Sequence, residues 1–163
     1  MIGNRQELVL ESSLENLREV EKFVEDLSDY YNLNNNYFGT ILLSLTEAFK
    51  NAVIHRNASD PKKSVIITCD PIPSGLSFSV QDQGRGFDFS SIPDPTDFDE
   101  KENPKSGLYL IKKLSDDILF LDGGSLLKIR FQIASINFEL SLERAKMLNQ
   151  YFHATNKKTQ NSN

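Results

Sequence analysis

Three polar side chains punctuate an otherwise apolar helical stretch in the first half of the chain. Glu47, Asn51 and His55 lie four residues apart within NYFGTILLSLTEAFKNAVIH, so a helix places them in a row along one edge. A carboxylate, an amide and an imidazole in one row can hold a metal ion and orient a nucleophile. The same row is also compatible with a solvated helix edge, and the choice depends on the rest of the chain.

A second polar cluster, DQGRGFD, follows the second strand of a predicted hairpin. It places Asp82 at the strand end, shortly before Gly84 and Gly86. An aspartate at this position can accept a hydrogen bond from an exocyclic amine such as adenine N6. The pattern alone is also a common turn sequence, so it indicates a binding site only in combination with the other polar clusters.

A third cluster, Ser106-Gly107-Leu108, opens a predicted helix. The backbone N–H groups of a helix start bind phosphate, and glycine lets the ligand approach closely. The side-chain oxygen of Asn51 suits Mg²⁺, which prefers hard oxygen ligands and often bridges phosphates. Glu47, one helical turn away, can take a proton from an attacking hydroxyl or water. Together the three clusters point to a nucleotide site.

The composition describes a soluble globular protein and excludes several function classes. The 163 residues fit one domain of common size, and the net charge of −5 argues against general nucleic-acid binding. No apolar run reaches membrane-spanning length, and the N-terminus lacks the apolar core of a signal peptide. We therefore expect a cytoplasmic protein with no direct membrane contact. The one cysteine, Cys69, is expected to be a small core residue.

Hydrophobic periodicity predicts an α+β fold, a two-layer α/β sandwich. Helices are expected to cover one face of a mixed, mostly antiparallel sheet. The long irregular segment 83–106 is predicted to be a lid. The predicted strands are Glu7–Leu10, Ser64–Asp70, Leu76–Val80, Ile118–Leu121 and Leu126–Ile133. The predicted helices follow Ser12 and Ser13, span Asn36–His55 and Gly107–Leu114, and recur at Ser141–Phe152.

Three segments are predicted along the chain: a catalytic domain at 1–135, a helical extension at 136–155 and a disordered tail at 156–163. The extension has an apolar stripe and is expected to dock either on this domain or on a partner. The helix after Ser13 has an acidic outer face, which is either solvated or meets a basic partner. Its acids are Glu15, Glu19, Glu21, Glu25, Asp26 and Asp29.

The order and sequence of these clusters resemble those of the GHKL (histidine-kinase-like) ATPase superfamily, and within it the anti-sigma-factor serine/threonine kinases. EAFKNAVIHRN is similar to the N box, VQDQGRGFD to the first glycine box and SGLYLIKKL to the second. The resemblance extends over about 8–131. It implies the GHKL sandwich with an ATP lid, and ATP and Mg²⁺ as cofactors.

The resemblance also implies roles and partners. Asn51 would hold Mg²⁺, Glu47 would be the base and Asp82 would read adenine. Family members phosphorylate a serine or threonine on an anti-anti-sigma (STAS-type) partner, most also sequester a sigma factor, and a homodimer is possible. The other implied nucleotide contacts are Gly84 and Gly86 at the adenine pocket and Gly107 at the phosphates.

One departure from the family pattern leaves a second function open. The second glycine box normally begins with a glycine two places before Gly107, and here that place is Lys105. Retention of Glu47 and Asn51 favours a kinase. Lys105 favours a nucleotide-binding regulatory (anti-sigma) module without effective kinase activity. An interaction domain that binds no nucleotide would leave the matching boxes unexplained.

We predict that Lys105 replaces a backbone contact to the phosphates with an ionic one. Lys105→Ala should weaken ATP more than ADP, because the γ-phosphate is the expected contact. ATP affinity should also fall more steeply with ionic strength than in Lys105→Gly, because an exposed ionic contact is screened by salt. Calorimetric titration measures both. A tighter Lys105→Gly variant together with an unchanged Lys105→Ala variant would contradict the ionic role.

Overall fold

The structure, a computed structural model, describes the backbone of residues 4–84 and 104–160. Its centre is a five-stranded sheet in the order β1-β2-β3-β5-β4. Every pairing between the described strands is antiparallel, so the predicted two-layer α+β fold is confirmed and the expectation of a mixed sheet is wrong. The strands are β1 Gln6–Glu11, β2 Ser64–Ile72, β3 Gly75–Gln81, β4 Asp117–Leu121 and β5 Leu126–Gln132.

Four helices accompany the sheet, and their apolar stripes build the core. The helices are α1 Leu17–Tyr31, α2 Asn35–Asn51, α3 Pro104–Leu114 and α4 Ala134–Gln160. Alternate residues of β2, including Val65, Ile67 and Cys69, are buried with the stripes of α1 and α2. The prediction that Cys69 is a core residue is therefore confirmed, and burial raises the pKa of its thiol to about 12.

Side-chain caps fix where the first two helices begin. The Asn34 side chain accepts a hydrogen bond from the Tyr37 N–H at 3.0 Å and so caps the start of α2. Ser13 caps the short 3₁₀ turn that leads into α1, through a 3.3 Å bond from the Glu15 N–H. Ser12, which precedes this cap, is buried, and its N–H donates to the Lys63 carbonyl.

The last helix is longer than its sequence pattern predicts. α4 begins at Ala134, directly after β5, rather than at Ser141, and its backbone stays helical to Gln160, within the tail predicted to be disordered. Ile133 is buried and Ile136 packs against the core, so the helix is anchored at its start. The division into a domain and an extension stays a prediction.

Gly75, at the start of β3, and Gly39, on α2, allow a matched test of how tightly the sheet is packed. A Cβ at Gly75 would lie 2.0 Å from the Phe131 carbonyl oxygen, whereas one at Gly39, exposed on α2, would have nothing within 4 Å. We expect Gly75→Ala to lower the free energy of unfolding by about 1–3 kcal/mol, as overpacking does. Gly39→Ala should raise it by about 0.5–1 kcal/mol, because alanine favours the helix. Urea unfolding measures both; effects of the same sign would contradict this packing.

Candidate functional site

The helices α2 and α3 touch at Gly107, which is buried. A Cβ built at Gly107 would lie 2.9 Å from Glu47 Oε2 and 3.2 Å from Asn51 Nδ2. A side chain at this position would therefore require the Glu47 carboxylate and the Asn51 amide to shift slightly, whereas glycine fits beside both groups as they stand. The structure thus brings the first and third polar clusters of the sequence together.

The start of α3 lies beside Glu47 and Asn51. The helix begins at Pro104, three residues earlier than predicted, so Lys105, Ser106 and Gly107 all fall in its first turn. Proline is favoured at the first helical position, and this signal could have located the start from the sequence. The Lys105 side chain and Gly86 lie outside the described residues. Leu108 is buried and packs in the core.

Glu47 has a cationic neighbour that the sequence analysis did not single out. Lys50 Nζ lies 3.0 Å from Glu47 Oε1, one turn along α2. The carboxylate is partly exposed, so a substrate can reach it from solvent. The i, i+3 spacing of Glu47 and Lys50 was the available signal.

The helical row predicted for Glu47, Asn51 and His55 is only partly formed. Asn51 is buried close to Gly107, but α2 gives way to a wider π-helical turn at Ala52–Arg56. This wider turn changes the angular spacing that the four-residue period assumes, and His55 is exposed while Asn51 is buried. Single π-turns recur at functional sites.

Asp82 is a buried carboxylate with defined partners. Its Oδ1 accepts a hydrogen bond from the Gly84 N–H at 2.9 Å, and its Oδ2 lies 3.3 Å from an Arg56 guanidinium nitrogen. Only 2% of the Asp82 side chain and 6% of the Arg56 side chain are exposed. Burial raises the pKa of Asp82 above its usual value, although the Gly84 N–H and Arg56 both act to lower it.

Arg56 and Asn57 are site residues that sequence reasoning missed. A Cβ at Gly84 would lie 2.0 Å from the Arg56 carbonyl oxygen, so glycine is required where the chain leaves β3. Asn57 is fully buried; its amide donates to the Ser64 carbonyl at 3.1 Å and accepts from the Gln83 N–H at 3.0 Å. These contacts fix Asp82 and Gly84 against the end of α2.

A small cavity lies between these groups. Its volume is about 10 Å³, which is close to the space that one water molecule needs. A group larger than a water molecule therefore does not fit unless the lining residues move. The lining residues are Ala48, Asn51, Ala52, Arg56, Val80, Asp82, Leu108 and Leu127.

A comparison with models of protein families identifies the family of this chain. A family model described as the histidine kinase-like ATPase domain matches residues 10–132, which is most of the chain. The chain belongs to the histidine kinase-like ATPase family. A comparison with curated proteins gave no match. Membership in this ATPase family supports an ATP-binding function for the site built from α2, α3 and the end of β3.

The residues of this ATPase site fit a nucleotide with a bound cation. The Glu47 and Asn51 side chains converge beside the bare backbone of Gly107, which leaves room that a Cβ would fill. Within 4–84 and the described side chains of 106–157, no three His, Cys, Asp or Glu residues cluster as a metal site. Mg²⁺ would therefore take few protein ligands, as it does when phosphates supply the others.

In the described part of the chain, no helix has the length and apolar character needed to span a membrane.

The Arg56–Asp82 pair predicts a pH-dependent stability. When folding raises the pKa of an acid, that acid makes the protein less stable as the pH rises. The loss occurs between the pKa of the acid in the unfolded chain and its pKa in the folded protein. Arg56→Met removes the cation, so the pKa of Asp82 should rise further. At pH 7 the variant should lose about 3–5 kcal/mol, the cost of leaving a buried charge unpaired. The loss should be smaller near pH 4, because the raised pKa makes Asp82 easier to protonate there than at pH 7 and protonation removes the unpaired charge.

Urea unfolding at the two pH values measures the difference. Lys50→Met is the matched control, because it removes a cation from the partly exposed Glu47 and should cost at most about 1 kcal/mol. An Arg56→Met loss that is the same at both pH values would show that Arg56 does not compensate the charge of Asp82.

Proposed function

We propose that this protein is an ATP-dependent serine/threonine protein kinase and anti-sigma factor of a partner-switching pathway. Its substrate would be an anti-anti-sigma (STAS-type) protein, and it would also sequester a sigma factor. The observation that supports this proposal most is the contact at Gly107. It places a carboxylate, Glu47, and an amide, Asn51, at the first turn of α3, where an ATPase of this family needs phosphate-binding and proton-accepting groups.

In the proposed reaction, Glu47 is the general base. It accepts the proton of a substrate serine or threonine hydroxyl as that oxygen bonds to the γ-phosphorus of ATP. The bond from this phosphorus to the leaving ADP oxygen breaks, so the products are the phosphorylated partner and ADP. Asn51 would supply an oxygen ligand for Mg²⁺, and the bound ion would neutralise charge on the phosphates. The first turn of α3 offers backbone N–H groups to the phosphates.

Asp82 is proposed to recognise adenine. Each carboxylate oxygen can accept more than one hydrogen bond, so the bonds from Gly84 and Arg56 leave acceptor capacity for the exocyclic amine. The ion pair with Arg56 favours the charged form of Asp82, which accepts hydrogen bonds at both oxygens and is the stronger acceptor for an amine. Gly84 and Gly86 would shape the pocket around the base.

A second candidate is a nucleotide-binding anti-sigma module without effective phosphoryl transfer. The Glu47–Lys50 contact of 3.0 Å favours it, because the Lys50 ammonium occupies one oxygen of the carboxylate that would have to accept the substrate proton. Lys105 in the first turn of α3 also favours it. The two candidates share nucleotide binding and differ only in whether phosphate reaches the partner.

The decisive experiment is incubation with Mg-ATP and an anti-anti-sigma protein encoded nearby in the genome, followed by intact-mass measurement. The kinase proposal expects the partner to gain the mass of one phosphoryl group. A partner of unchanged mass, bound by the nucleotide-loaded protein, would support the module instead. A protein that does not bind ATP at all would overturn both candidates.

Glu47→Gln separates binding from chemistry. The substitution keeps the size of the side chain and removes the base, so phosphoryl transfer should fall by about 10²–10⁴. ATP affinity should stay within a few-fold, because Asp82 and α3 are untouched. Single-turnover assays and calorimetry measure the two effects. Glu25→Gln, an exposed acid on α1, is the matched control, and near-normal transfer by Glu47→Gln would exclude Glu47 as the base.

A further inference from the structure

The Arg56 side chain closes the cavity beside Asp82. Only 6% of this side chain is exposed, and one of its guanidinium nitrogens lies 3.3 Å from Asp82 Oδ2. The other carboxylate oxygen, Oδ1, accepts the Gly84 N–H. Arg56 and Asp82 both line the cavity, whose volume is about 10 Å³. The guanidinium therefore holds the one oxygen of Asp82 that Gly84 does not.

The contact that Arg56 makes has the same chemistry as the contact proposed for a nucleobase. A guanidinium is a planar group whose N–H bonds point outward in its plane. The exocyclic amine of adenine likewise presents N–H bonds in the plane of its ring. Both groups donate to a carboxylate oxygen, and the donor on Arg56 also has a positive charge. Arg56 is thus an internal competitor for Asp82.

Volume, rather than acceptor capacity, prevents the guanidinium and a base from occupying the cavity together. Asp82 has lone pairs for a further donor, but a cavity of about 10 Å³ admits about one water molecule. Arg56 has the longest and most flexible side chain in the lining. The other lining residues beside Asp82 are shorter and belong to residues that are themselves buried: Ala48, Asn51, Ala52, Val80, Leu108 and Leu127.

Arg56 lies where its side chain can turn outward. It is the last residue of the π-helical turn Ala52–Arg56, and the nearby residues His55 and Ala58 are exposed. The residue as a whole is partly exposed although its side chain is almost fully buried, so its backbone reaches the surface. Rotation about side-chain bonds can therefore bring the guanidinium into water while the backbone stays packed against Gly84.

We propose that Arg56 is a gate to the nucleobase site. In the closed state, which the structure describes, its guanidinium fills the cavity and pairs with Asp82. When a base enters, the guanidinium turns into solvent and the exocyclic amine takes its place at Oδ2, while Oδ1 keeps the Gly84 N–H. The gate rests on the proposed recognition of adenine by Asp82. It does not depend on whether phosphate is then transferred to a partner.

A gate of this kind lowers nucleotide affinity and makes a prediction that a purely structural ion pair does not. Only the fraction of molecules with an open gate can bind the base, so the measured affinity falls by that fraction. Nucleotide binding should also expose Arg56, whereas most ligands protect the residues around them. Both consequences can be measured on the full chain.

The first test uses the unaltered chain and phenylglyoxal, which modifies accessible guanidinium groups. Peptide mass mapping gives the rate of modification at Arg56. Saturating ATP should raise this rate at least about tenfold, because it holds the gate open. Tripolyphosphate, which has no base, should leave the rate unchanged. Arg130, whose side chain is 53% exposed beside Asp117, is the internal control and should react equally in all samples. Protection of Arg56 by ATP, or an unchanged rate, would overturn the gate.

The second test removes the gate with Arg56→Ala. ATP affinity, measured by calorimetry, should rise at least about tenfold, because no guanidinium has to leave, whereas tripolyphosphate affinity should stay within a few-fold. Alanine also admits water, which solvates the charge of Asp82. Circular dichroism checks that the variant is folded. Arg130→Ala removes an exposed arginine from another Arg–Asp pair and should bind ATP as the wild type does.

Guanidinium ion should restore the gate in Arg56→Ala. Guanidinium chloride at about 50 mM, far below the molar range that unfolds proteins, should refill the space and weaken ATP binding by the variant again. Urea, which has a similar shape but no charge, and sodium chloride should not do so at the same concentration. Equal effects of all three solutes would show that the space left by Arg56 does not select a guanidinium, and would contradict the competition.

Failure of the gate and failure of the proposed function give different results. A folded Arg56→Ala that binds ATP no more tightly than the wild type would overturn the gate and leave recognition of adenine by Asp82 intact. Absence of ATP binding by both proteins would overturn the nucleotide function and the gate with it. ATP binding by the variant alone would show that Arg56 holds the site closed.

Discussion

The close approach of α3 to α2 at Gly107 is the constraint on which the site depends. Because Gly107 has no side chain, α3 lies against the Glu47 and Asn51 groups, and Leu108 and Ile111 enter the core beside α2. The same contact therefore serves packing and chemistry. A side chain at this position would shift the ends of these two polar side chains or move the helix, and so would change the spacing between Glu47 and the first turn of α3.

Asp82 adds an electrostatic constraint at the other end of the site. A buried carboxylate is costly unless it is paired and hydrogen-bonded, and here Arg56, Gly84 and the π-turn supply the compensation. The pair connects α2 to the end of β3, and Asn57 reinforces that connection. The cavity beside the pair, about 10 Å³, is close to the space that one water molecule needs, so the proposed recognition of adenine by Asp82 would require this cavity to open.

Much of the fold was predictable because it follows from local patterns. The cap at Asn34, the hairpin of β2 and β3 and the convergence of the Glu47 and Gly107 clusters all had signals in spacing or turn chemistry. The Arg56–Asp82 pair had no such signal, because it joins residues far apart in the chain. His55 was misplaced since a four-residue period assumes a regular helix, and tertiary packing decided otherwise. The roles assigned to the site residues stay predictions.

The most direct test of the account compares ATP with inorganic tripolyphosphate by calorimetry, on the wild type and on Asp82→Asn. Loss of a charged hydrogen bond costs about 1.5–3 kcal/mol, so Asp82→Asn should weaken ATP by about tenfold to a hundredfold. Tripolyphosphate, which has no base, should bind both proteins within a few-fold, and urea unfolding would verify that the variant is folded. Unchanged ATP binding by folded Asp82→Asn, or equal weakening of both ligands, would contradict base recognition at Asp82.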